Sequence, residues 1–260
     1  MMRKTLFIRR CQSLTASLLC AASLSLASTQ AIADCDAPPA PQVNWKGCDK
    51  SGLDLTNADL RGAVLDKVNF TATKLDGANL RGSYLTKAIL KDASLVKARL
   101  IEASMINADL RNANLSKALM SNARLDRAQL MGANLSKANL DRARLYDAKL
   151  QDSNFEGASL INANLEQSNL TNANFSHTQM KQASLDRAQL EDANFSGAQL
   201  NKATLVKSLL VGTDFSNADL SAASLAGAEI IGSDFDGAKL GYTTWNNRKR
   251  CRSSSVSTCN

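Results

Sequence analysis

The sequence predicts an all-β solenoid, and three regularities of the chain carry that prediction. Every fifth residue from Leu55 to Leu240 is Leu, Phe, Met or Ile, 38 positions in succession without insertion or deletion: 28 Leu, 6 Phe, 3 Met and 1 Ile. Two residues before each of these centres the side chain is small, with Ala at 28 places, Ser or Thr at eight, and only Leu53 and Val68 larger. Five of the Phe centres, Phe155, Phe175, Phe195, Phe215 and Phe235, stand 20 residues apart.

A period of five fits neither the roughly 3.6 residues of a helix nor the roughly 3.5 of a coiled coil, so long helices are excluded. In extended backbone, residues two apart point to the same side, so the small residue and the centre both face inward. The other three positions face water and carry polar residues, as in Ala58-Asp59-Leu60-Arg61-Gly62. One such unit cannot bury its apolar pair alone, and neighbouring units must stack into a continuous core. The Phe spacing points to a coil of four units, because the five rings then fall into one column, an alignment that chance gives rarely. A second column agrees: Asn114, Asn134, Asn154, Asn174 and Asn194, then Asp214 and Asp234, each immediately precede a centre of that column. Rings stacked inside and amides hydrogen-bonding up the column outside are the expected consequence.

Units such as Ala58-Asp59-Leu60-Arg61-Gly62 and Ala78-Asn79-Leu80-Arg81-Gly82 resemble the pentapeptide-repeat family, and the likeness runs from residue 48 to 245. The resemblance implies a right-handed quadrilateral β-helix of about nine coils, a rod roughly 45 Å long at the usual strand spacing. Four segments are expected: 1–33, a cleaved signal peptide; 34–50, an N-terminal cap; 51–245, the β-helix; and 246–260, a basic, Cys-containing tail.

Arg3, Lys4, Arg9 and Arg10 precede an apolar stretch from Leu14 to Ala27 and a small-residue site at Ala31-Ile32-Ala33. That order is a secretory signal with cleavage expected after Ala33, which places the mature chain in the periplasm or outside the cell. The stretch is short and rich in Ser and Thr for a membrane helix, and no transmembrane segment is expected in the mature chain. Cleavage removes Cys11 and Cys20 and leaves Cys35, Cys48, Cys251 and Cys259. A bridge needs Cα atoms within about 7 Å, and the rod holds the two pairs far apart, so Cys35 with Cys48 and Cys251 with Cys259 are the expected disulfides. A free, packed Cys48 thiol in the small inward phase is the competing expectation. Trp45 and Trp245, both in phase with the centres, read as lids over the open ends. The tail from Thr244-Trp245 onward also resembles the closing segment of exported members of the family.

Residues for chemistry are scarce. His177 is the only histidine, which rules out a multi-histidine metal site and an ordinary triad. Neighbours such as Asp126-Arg127 and Asp186-Arg187 read as a mixed-charge solvated surface. Asp214 and Asp234 stack, but two carboxylates fall short of a calcium shell. No catalytic, cofactor-binding or metal residue is assigned, and the chain is expected not to be an enzyme.

The formal charge of +7 includes the four basic signal residues, which leaves 27 basic against 24 acidic residues in the mature chain, a net +3. Arg248, Lys249, Arg250 and Arg252 exceed that whole excess, so the rod is close to neutral. Family members that mimic DNA and act on topoisomerases are acidic cytoplasmic rods; neither the charge nor the export signal suits that role, and no nucleic-acid partner is expected. A polymer- or ice-binding solenoid wants a regular Thr array, and Thr is scattered here. Val206, Leu209, Val211 and Ile231 are apolar at outward positions and form a candidate partner patch, including a possible homodimer through the C-terminal coils. A tail folded back over them is the competing expectation. The favoured function is an exported, non-enzymatic scaffold that binds an unidentified protein or an envelope polymer.

Overall fold

Each five-residue unit is one short extended segment followed by one turn. The carbonyl of a centre accepts the N–H three residues on, as Leu125 O does from Ala128 N at 2.9 Å. The second residue after the centre has positive φ, 58° at Arg127. One left-handed residue at the third place of a four-residue turn is type II geometry. Glycine takes that place at several turns, and at Gly212 the coil below leaves no room for a side chain, since a Cβ there would collide with Asp192 Oδ1.

A computed structural model describes residues 33–260, and the expected signal peptide, apart from Ala33, lies outside the described residues. Parallel bridges pair each residue before a centre with the residue 20 further on, from Asn44↔Val64 to Ser224↔Thr244. Four turns therefore close one coil of a right-handed β-helix. Its first face carries Asn44 and every twentieth residue to Thr244; the second runs from Asp49 to Glu229, the third from Asp54 to Asp234, the fourth from Asp59 to Lys239. The ladder is regular: Leu125 N–H bonds Arg144 O at 2.6 Å, and Arg144 N–H returns to Ala123 O at 2.9 Å.

From Leu60 to Leu225 every centre is at 0% exposure, and the Ala positions between them are almost as dry. Polar residues at small inward positions are satisfied by carbonyls. Ser168 Oγ donates to Leu165 O at 2.6 Å, and Thr213 Oγ1 to Leu190 O at 2.8 Å. A hydroxyl with such a partner is tolerated in an apolar bore. Extra volume is not, because the coil spacing is fixed by the backbone ladder. Ala128→Leu is expected to cost about 1–3 kcal/mol, read as a lower urea midpoint with an unchanged slope.

Phe155, Phe175, Phe195, Phe215 and Phe235 form one stacked column, with centroids 4.6, 4.9, 5.2 and 5.2 Å apart. Trp245 tilts over its upper end, 5.0 Å from Phe235. At the other end Trp45 meets Phe70 edge-on at 6.4 Å and is 1% exposed.

The first coil begins inside the expected cap of residues 34–50. Trp45 N–H bonds Val64 O at 2.9 Å, and Cys48 sits in the small inward phase at 2% exposure. Lys50 occupies a centre position, which is why the apolar rhythm starts only at Leu55. Its ammonium reaches Cys35 O at 2.6 Å and lies 4.1 Å from the Trp45 ring, so a charged centre is accommodated only at the end of the bore. The Cys35–Cys48 disulfide (Cα–Cα 5.5 Å) ties the preceding segment to this coil. Cys251 and Cys259 are joined across a Cα–Cα distance of 4.8 Å. The tail runs back antiparallel over the fourth face, Val256 against Lys239, and over the first, Arg250 against Thr244.

Candidate interaction surface

The outward side chains serve the backbone first. Within the repeat, the N–H of the residue after each centre has no backbone partner among the described residues. The Asn or Asp just before the centre fills that need: Ser136 N–H bonds Asn134 Oδ1 at 3.0 Å, Ser176 bonds Asn174 at 3.0 Å and Ser216 bonds Asp214 at 2.7 Å. Elsewhere an Asp one coil below does it, as Asp186 does for Val206 N–H at 2.9 Å. The expected amide ladder is thereby corrected. Among the described residues of that column only Asn174 Nδ2 bonds Asn154 Oδ1, at 3.2 Å. A turn N–H without a backbone acceptor makes a stronger demand on the side-chain oxygen than a neighbouring amide does. Asp214 and Asp234 likewise each spend an oxygen on a turn, Asp234 on Asp236 N–H at 2.8 Å.

Val206, Leu209, Val211 and Ile231 come together around the second face. Leu209 lies on that face, Val206 on the corner before it, and Val211 and Ile231 stack on the corner after it, where Gly212 N–H bonds Ile231 O. Exposure is concentrated in two of them, Val211 at 37% and Ile231 at 72%, while Val206 and Leu209 are half-buried. The tail does not cover them, since it lies on the fourth and first faces. Beside Val206 a shallow groove is lined by Glu166, Asp186 and Arg187. His177 stands apart on the corner between the third and fourth faces, where a Cβ added to Gly197 would come within 2.7 Å of its Nδ1.

Charge along the rod is mixed and locally paired. Arg111 Nη2 lies 2.6 Å from Asp109 Oδ2 and holds that carboxyl below the usual carboxylate range. Asp126, mostly buried, lies 3.2 Å from Arg144 and 3.9 Å from Arg124.

The sequence leads one to expect unpaired strand edges at the two ends with capping segments over them, and the structure shows which faces the caps reach. Where the tail covers the last coil, the pairing is complete: on the fourth face Leu240 N–H bonds Ser255 O at 2.9 Å and Ser257 N–H bonds Ala238 O at 3.0 Å. On the second and third faces the N–H groups of Ile230, Gly232 and Phe235 and the carbonyls of Ala228 and Ser233 have no such partners among the described residues. Among the described residues the backbone N–H and carbonyl of Asp49, Asp54 and Asp59 in the first coil are also without backbone partners. The Ser51 N–H and hydroxyl hold the Asp49 carboxyl below the usual range, the Thr56 hydroxyl and N–H do so for Asp54, and the Arg61 guanidinium for Asp59. The signal in the sequence was there: the residues before the centres are acidic at the two ends of the repeat and mostly uncharged or basic between.

The family model described as pentapeptide repeats matches in eight copies, over residues 46–82, 54–92, 65–100, 78–116, 108–147, 148–187, 173–210 and 208–241. Curated protein sequences return no match. Among solved structures, HetL from the cyanobacterium Nostoc sp. strain PCC 7120, a pentapeptide repeat protein involved in heterocyst differentiation regulation, is 29% identical with a TM-score of 0.54, over 81% of this chain and 92% of that one. A pentapeptide repeat protein of the Arabidopsis thaliana thylakoid lumen is 28% identical over 47% of this chain and 68% of that chain, with a TM-score of 0.30. QnrB1, a plasmid-mediated fluoroquinolone resistance protein, is 22% identical over 73% and 87%, with a TM-score of 0.39.

Proposed function

The chain belongs to the pentapeptide-repeat family, and from that premise we propose that it is an exported, non-enzymatic scaffold of the bacterial envelope that binds a protein partner through its C-terminal coils. The family consists in general of structural and interaction proteins. The observation that carries the reading is the stacked pair Val211 and Ile231, exposed beside Leu209 on a rod whose other outward positions are mostly polar. Desolvating such a cluster favours association.

A homodimer through the same residues is the second reading, motivated by the same cluster. The topoisomerase-directed reading rests on membership of the family alone. The near-neutral rod and the signal-like N-terminus argue against it. A polymer- or ice-binding face would need regular outward Thr, and Thr occurs before a centre only at Thr204 and, in the last coil, Thr244.

Expression of the full chain in a Gram-negative host, followed by fractionation and intact-mass measurement, is expected to give a periplasmic or secreted protein beginning at Asp34. A cytoplasmic chain retaining residues 1–33 would sink the export reading. Crosslinking and capture from periplasmic extract then compare the parent with Val211→Asp. That exposed change should alter stability by no more than about 0.5 kcal/mol, so a lost crosslink reports the surface and not the fold. Identical crosslinks in both proteins count against the patch. Light scattering after size exclusion separates the readings: a parent of dimer mass that becomes monomeric in Val211→Asp supports the homodimer.

A further inference from the structure

We propose that the open step at the C-terminal end of the rod receives one extended strand of a partner protein, laid antiparallel along the second and third faces with Lys or Arg opposite Glu229 and Asp234. This deepens the interaction reading by naming a backbone site and the chemistry of its occupant.

The step is built by the tail itself. Residues 249–257 add one strand layer over the fourth and first faces, and that layer stops at the third–fourth corner, where Gly237 N–H bonds Ser257 Oγ at 2.9 Å. The adjoining second and third faces are therefore lower by one strand spacing, about 4.8 Å, which is the depth of a single strand. The unpaired groups are in the arrangement that the tail already uses. On the fourth face the Ala238 carbonyl accepts and the Leu240 N–H donates, one residue either side of Lys239, and an antiparallel strand satisfies both. Around Glu229 the Ala228 carbonyl and Ile230 N–H repeat that pair; around Asp234 the Ser233 carbonyl and Phe235 N–H repeat it again. An added strand would complete this ladder and cover Ile230, with alternate residues directed over the bore and outward. Trp245 already lies over the end of the Phe column.

Charge identifies the occupant. The five positions before a centre on unpaired edges, Asp49, Asp54, Asp59, Glu229 and Asp234, are all acidic. The end positions that the chain covers itself, Asn44, whose carbonyl accepts the Asp34 N–H, and Lys239 and Thr244 under the tail, are not acidic. Pairing the open edges of two copies in register would set carboxylate opposite carboxylate at every combination of ends, which is destabilising and is how natural sheets block edge-to-edge association. The same carboxylates favour a strand that brings a cation to that position. The tail's Arg250 does not supply it, since its guanidinium is held over Tyr242 at 5.3 Å, on the fourth–first corner.

Short capped peptides of alternating Val and Lys, and of alternating Val and Glu, are the probes, added to the mature full chain. The Lys peptide is expected to bind at least about tenfold more tightly than the Glu peptide and to slow hydrogen exchange at the Ile230, Gly232 and Phe235 amides by at least about tenfold. In the Glu229→Lys, Asp234→Lys double variant the preference should invert, with exchange at mid-rod amides such as Leu125 unchanged as the check on folding. Equal preference in parent and double variant, or no slowing at those three amides, overturns the proposal. Val211→Asp keeps the edge backbone, so peptide binding retained alongside lost partner crosslinking would sink the apolar patch and leave the strand site standing.

Discussion

Leu125→Asp is expected to destabilise the rod by at least about 4 kcal/mol and to remove the cooperative melt of its middle coils. Leu125 is at 0% exposure, stacked in one column with Met105 below and Leu145 above, both equally buried. Loss of the leucine alone forfeits about 1.5–3 kcal/mol of burial. A carboxylate there would also face only Leu, Met and Ala side chains, and its charge would have no partner. Because each coil touches only its neighbours, the damage should be local at first, with exchange protection lost around residues 105–145 before the ends. Gln129→Lys, four residues on and outward-facing, is the control and should shift stability by no more than about 0.5 kcal/mol. Far-UV circular dichroism and a melting curve identical to the parent in Leu125→Asp would refute the inward assignment of the centres.

The second large effect is expected at the middle of the ring column. Phe195 stacks 4.9 Å from Phe175 and 5.2 Å from Phe215, parallel to within 17° on both sides. Phe195→Ala should cost about 3–5 kcal/mol in urea denaturation, through lost burial, the cavity left behind and two lost ring contacts. Phe195→Leu should recover much of this, because Leu75, Leu95, Leu115 and Leu135 occupy the same column in earlier coils without disturbing the register. An Ala variant with the parent's midpoint would mean that the column is ornament to the stability of the rod, and that coil register rests on the backbone ladder alone.

Much of the fold was legible because the repeat states the same physical demand 38 times. The inward pair follows from the alternation of extended backbone, and the four sides follow from the Phe and Asn columns without reference to any relative. The role of the Asn column was not legible. Sequence spacing shows that the amides stack, but whether each oxygen serves the amide above or the turn N–H two residues on depends on which backbone donors the ladder leaves free. The start of the first coil was hidden for a related reason: Lys50 breaks the apolar rhythm, and only its position at the end of the bore, over Trp45 and against Cys35 O, makes a charged centre acceptable.

The candidate surface was legible in part. Val206, Leu209, Val211 and Ile231 were recognisable as apolar residues in outward phases, and phase alone assigns them to one face and its two corners. What the tail covers was beyond reach of phase, since residues 246–260 leave the repeat.

The sequence by itself determined the period, the inward and outward sets, the four-sided coil and the scarcity of residues for chemistry, because all of these follow from strictly local rules applied in register. The tertiary structure decided how the rod ends. Once the rhythm stops, nothing local specifies direction, and the tail's antiparallel return over two faces leaves the other two with free donors, free acceptors and a rim of carboxylates.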